Sequence, residues 1–187
     1  MKNILDIHTR QEFRDWLIAN STKEKECWIS VKRRKPNDKT ICYLDAVEEA
    51  LCFGWIDSVY KNDEGQSLQR FSPRKKNSPW TELNKERARR LIKLGLMTKQ
   101  GKKVLPPLGP RSFKIDPDIV DALKKARVYK IFKSFPPLYQ RVRAYNVSSY
   151  KKIDKKQYEA ALKHLVSYTK KGKLFGEWND YGRLLNY

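Results

Sequence analysis

The sequence predicts an α+β fold: a small antiparallel sheet flanked by helices, followed by an all-helical C-terminal half packed against it. Three observations carry this. Short runs rich in β-branched and aromatic residues, Cys27–Val31, Trp55–Lys61 and Gln66–Ser72, all fall in the first half of the chain. Beyond residue 115 the apolar residues recur at helical rather than alternating spacing. Between the two, Leu105–Phe113 holds three prolines and a glycine in nine residues, which excludes regular helix and central strand. The expected organisation is an α+β region over 1–105, a Pro-rich linker over 106–115, and a helical region over 116–187.

Each element has a local cause. Thr9-Arg10-Gln11-Glu12 reads as a capping box, and Phe13, Trp16 and Leu17 continue a short helix to about Asn20. Cys27–Val31 reads as a strand that runs into a basic turn, Lys32 to Asp38, where Pro36-Asn37-Asp38 suits a reversal. The helix from about Tyr43 sets Val47, Ala50 and Leu51 on one face and Asp45, Glu48 and Glu49 on the other, and Gly54 supplies the left-handed residue that ends it. Trp55–Lys61 and Gln66–Ser72 pair through the hairpin loop 62–65, with the strand at 27–33 completing the sheet. Ser78-Pro79 matches an N-cap with proline at the first helical position, predicting a helix from about Trp80 to Leu94. In the second half, helices are expected after Asp116-Pro117, after Pro136-Pro137, and over 155–171. In the last of these Tyr158, Ala161, Leu162, Leu165, Val166 and Thr169 follow the helical repeat.

Composition narrows the function classes. Hydrophobic content of 40% and 12% aromatics in 187 residues support a folded core. No apolar run has the length of a membrane span, and the start Met1–Asp6 lacks a secretory apolar stretch, so a cytoplasmic location is expected. Cys27, Cys42 and Cys52 form no Cys-x-x-Cys pair, which argues for buried thiols and against a zinc site; no metal or other cofactor is expected. With only His8 and His164, a histidine-based mechanism has little support. The formal charge of +20, from 41 Lys and Arg against 21 Asp and Glu, attracts polyanions and makes nucleic acid a candidate partner.

The candidate site is the basic cluster Arg70, Arg74, Lys75 and Lys76 at the start of the helix capped by Ser78. Free amides at a helix N-terminus favour phosphate or carboxylate, and arginine adds planar, bidentate donors. The competing reading pairs Arg70 or Arg74 internally with Asp57. Trp55 and Trp80, with Trp28, could support such a site by stacking, although tryptophans at element starts are more often core anchors. The basic helix 82–94 has an intramolecular counterpart in the acids at 45–49.

The run A-V-E-E-A-L-C-F-G-W-I-D, then Q-R-F-S-P-R-K-K-N-S-P-W, then a basic helix ending Leu96-Met97-Thr98-Lys99-Gln100-Gly101, resembles the YdeI/OmpD-associated family, often labelled bacteriocin-protection proteins. The resemblance covers roughly residues 10 to 105. It implies a fold and a link to envelope stress or antimicrobial-peptide resistance, and it brings no catalytic residue set. The leading expectation is non-catalytic binding of an anionic partner, a phosphate-bearing ligand or nucleic acid. One alternative is an enzyme acting on a small anionic substrate with Asp57 as base. Another is an adaptor for a protein partner; the oligomeric state is left open.

Overall fold

The computed structural model describes residues 3–37, 40–63, 66–76 and 78–187. Asp38 of the expected basic turn, and Glu64 and Gly65 of the expected hairpin loop, lie outside the described residues. The fold is α+β, with a four-stranded sheet and helices concentrated in the C-terminal half. In chain order the elements are β1 (Ile4–Leu5), α1 (Arg10–Asn20), β2 (Cys27–Ser30), α2 (Tyr43–Cys52), β3 (Trp55–Asp63) and β4 (Gln66–Pro73). They are followed by α3 (Glu82–Lys93), α4 (Lys99–Lys103), α5 (Pro117–Lys125), α6 (Tyr129–Ser134), α7 (Pro137–Tyr150) and α8 (Lys155–Lys170). Among the described residues no helix is long and apolar enough to cross a membrane.

The sheet order is β1-β2-β4-β3. The three longer strands are antiparallel, as expected, but the sheet is mixed because β1 joins β2 in parallel, Ile4 opposite Trp28 and Leu5 opposite Ile29. Parallel neighbours need a crossover, and α1 supplies it. Two residues carry no readable alternation, which is why β1 escapes a sequence reading.

The chain divides into two compact units. The first comprises Met1–Pro79, Arg87–Pro106 and Tyr187. One sheet face, Cys27, Ile29 and Phe71, is fully buried, and the Phe13 and Phe71 rings meet at 5.4 Å. Trp55, also fully buried, takes Trp16 edge-on at 5.8 Å and donates its indole N–H to the Ser21 carbonyl at 3.1 Å. The second unit comprises Trp80–Glu86 and Pro107–Asn186. Its core joins Ile119, Leu123, Phe132, Tyr139 and Leu165, with Phe175 and Trp178 packed on it.

α3 begins later than its sequence suggests. Thr81 caps it, accepting the Asn84 amide N–H at 3.0 Å, while Ser78 donates its own N–H to the Lys75 carbonyl in a turn. The Pro79 carbonyl, which would open a helix begun at Ser78, instead accepts from Arg74 at 2.9 Å.

Candidate functional site

The acidic side of α2 is not a solvated face. Asp45, Glu48 and Glu49 are 3%, 0% and 2% exposed, so their charges require partners. Arg10 of α1 donates from Nε to Glu49 at 2.6 Å and from Nη1 to Glu48 at 2.9 Å. Arg14 reaches the second oxygen of Glu49 at 2.7 Å, and Arg90 of α3 the second oxygen of Glu48 at 2.8 Å. Burial alone would lower the pKa of Arg10, but the charges of Glu49 and Glu48 overcome it and raise it above its ordinary value. Part of the basic helix is thereby neutralised within the first unit, and these carboxylates serve architecture.

The side chains of the expected basic cluster have separate surroundings within the first unit. Arg70 donates from Nε to Glu26 at 2.7 Å, adds a second bond to the same oxygen from Nη2, and reaches Ser58 from Nη1 at 3.3 Å. The Arg70 hydrogen bond, followed by that of the Trp28 indole, holds the Glu26 carboxyl below its ordinary value. Arg74 is buried, 7% exposed, with Nη1 on the Pro79 carbonyl. Lys75 and Lys76 remain exposed, and Ser78 lies three residues ahead of the true cap.

Asp57, half-buried on β3, takes a different partner from the arginines expected for it. Its Oδ2 accepts the Tyr43 hydroxyl at 2.6 Å, and the Arg33 guanidinium lies 4.0 Å from the centre of the Tyr43 ring. Burial first, then the Asp57 charge, raises the Tyr43 phenol above its ordinary pKa. Trp28, Trp55 and Trp80 are 5%, 0% and 9% exposed, which makes all three core residues and leaves no ring face open for stacking.

A cleft of about 410 Å³ opens elsewhere in the first unit, where β1 ends. The chain leaving β1 lies beside the entry to α2 because Ile41 donates its N–H to the His8 carbonyl at 2.7 Å. Tyr43 likewise donates its N–H to the Lys32 carbonyl at 3.1 Å, and this brings the segment after β2 to the same place. Ile7, Ile41 and Leu68, at most 9% exposed, line the cleft with apolar surface. Asp6, His8, Lys32 and Arg34 line it as exposed residues. His8 Nε2 is 3.0 Å from Asp6 Oδ1, and Arg34 hydrogen-bonds the Thr40 hydroxyl. Among the described residues neither Lys32 nor Arg34 has a carboxylate within ion-pair distance.

None of these four residues stood out in the sequence as a site. The run from Lys32 was legible as a basic turn, but its junction with Asp6 and His8 depends on the parallel β1 pairing. An apolar floor with a few charged groups is the usual build of a small-ligand site, and the volume lies in the usual range. The cations outnumber the acid, which suits an anionic ligand.

No curated protein and no solved structure gives a significant match to this sequence. Residues 5–104, more than half of the chain and including nearly all of the cleft lining, match the family described as a domain of unknown function, DUF8412, and the chain belongs to that family.

Proposed function

We propose that the protein binds a small phosphate-bearing ligand without turning it over, and that the ligand sits in the cleft at the end of β1. The observation that carries this is the pairing of an apolar floor with Lys32 and Arg34, two cations without carboxylate partners among the described residues. An anion entering there gains charge-assisted hydrogen bonds from two cations that no described carboxylate holds. Binding is favoured over catalysis because the His8 and Asp6 side chains are 73% and 95% exposed. Catalytic acid-base groups work where water is excluded and their geometry is fixed, and so exposed a pair is not held in that way.

Calorimetric titration with phenyl phosphate, which has both an anionic head and an apolar body, tests this reading. The parent chain is expected to bind, and a Lys32→Ala/Arg34→Ala variant to bind at least about ten-fold more weakly, equal to roughly 1.4 kcal/mol. Inorganic phosphate, lacking the apolar body, is expected to bind more weakly than phenyl phosphate. Equal binding by parent and double variant would remove the cleft as the site.

A further inference from the structure

We infer that the outward face of α8, in the second unit, is a contact surface for single-stranded nucleic acid, separate from the cleft. Leu165 and Thr169 are fully buried, and Tyr158, Ala161, Leu162 and Val166 pack on the same core, which fixes the inward side of α8. Lys156, Lys163 and Lys170 follow at intervals of seven residues and are exposed, so they form a row on the opposite side. Ala160 and Ser167, small and exposed, fall between the lysines and leave the row open to close approach.

Charge and spacing then define the partner. At about 1.5 Å rise per residue, successive lysines of the row stand roughly 10 Å apart. That is close to the screening length of about 8 Å at physiological salt, so their fields merge into one positive strip. Lys152, Lys155, Lys171 and Lys173 extend it, and Asp154 and Glu159 are the acids within 152–173. Among the described residues no ion pair engages Lys156, Lys163 or Lys170, whereas Lys151, just ahead of the row, is held by Asp116 and Asp118 at 3.0 and 2.6 Å. Such a strip matches a phosphate backbone, whose binding is driven by release of condensed counterions.

Two further observations choose among polyanions. Next to Lys163, on the flank of the row, the exposed His164 ring lies 4.5 Å from Tyr168 and 4.5 Å from Phe175, and Lys171 sits 5.6 Å from the Tyr168 ring. Aromatic rings beside a basic groove are the means by which unpaired bases are held, and a duplex offers no free base face to them. An anionic membrane is the poorer fit, because a helix lying on lipid must insert its apolar face, and that of α8 is already spent on the core.

Fluorescence anisotropy on the full chain tests the inference, with a labelled single-stranded oligonucleotide, the corresponding duplex, and vesicles rich in anionic phospholipid as probes. The expected result is single-strand binding that weakens steeply with salt and falls more than about ten-fold in Lys156→Glu/Lys163→Glu/Lys170→Glu. His164→Ala is expected to weaken the single strand several-fold and the duplex hardly at all. These substitutions lie on exposed positions, so an unchanged circular dichroism spectrum is expected, and the Lys32→Ala/Arg34→Ala variant should bind the oligonucleotide as the parent does. Oligonucleotide binding unaffected by the triple reversal would overturn the inference. So would a preference for vesicles or duplex, insensitivity to His164→Ala, or no binding by the parent chain.

Discussion

At the scale of single residues, burial decides which charges and thiols are available for chemistry. Burial pushes the Cys27 and Cys52 thiols up to about 12 and also raises that of Cys42. A thiol that is not ionised is a poor nucleophile, so the native protein is expected to release almost no chromophore from a disulfide reagent, and three equivalents after unfolding. Rapid labelling of a native thiol would contradict this. Glu26 has a depressed carboxyl pKa in the folded state, so its tie to Arg70 stabilises above the ordinary value of 4.5 and is lost as the pH falls below it. Urea midpoints at pH 7 and pH 3 are therefore expected to differ more in the parent than in Arg70→Ala; an equal difference would show the tie to be idle. Gly101 answers to sterics: a Cβ there would sit 2.2 Å from the Cys52 carbonyl oxygen, which also accepts the Thr98 hydroxyl at 2.6 Å. Gly101→Ala is expected to cost about 1–3 kcal/mol in urea unfolding, the usual range for overpacking.

At the scale of elements, what was legible in the sequence is what local chemistry dictates. The capping box of α1 forms as written, with Thr9 accepting the Glu12 N–H at 3.2 Å and Glu12 accepting that of Thr9 at 3.2 Å. Gly54, with φ of 76°, turns α2 into β3, and Asp116 with Pro117 opens α5. The start of α3 was misread because Ser78 and Thr81 both make adequate caps; the choice fell to Arg74, whose side chain takes the Pro79 carbonyl. The acids of α2 were legible as a face but not as a buried one, since their arginine partners lie 35 to 42 residues distant in the chain. That network differs in kind from the half-exposed Arg70–Glu26 pair. Removing one partner of a buried set strands the others, so Glu48→Ala is expected to cost about 3–5 kcal/mol. Loss of the half-exposed Arg70–Glu26 pair should cost far less, because water screens it. Similar urea midpoints for the two variants would refute the distinction.

At the scale of the whole molecule, the charge of +20 proved a weaker guide to the site than the fold that distributes it. The arginines that attract notice in the sequence, Arg70 and Arg74, are tied to Glu26 and to the Pro79 carbonyl. The cleft is assembled from residues near 6, 33 and 40, which meet through a two-residue parallel strand that no periodicity announces. The central claim is that this cleft takes a small phosphate-bearing ligand, and amide chemical shifts test it most directly. Phenyl phosphate added to isotope-labelled protein is predicted to shift amides in 4–8, 30–34 and 40–41, saturably, and to leave those around Lys75 and Lys76 in place. Shifts centred on Lys75 and Lys76, scattered over the lysine-rich surface, or absent at saturating ligand would contradict it.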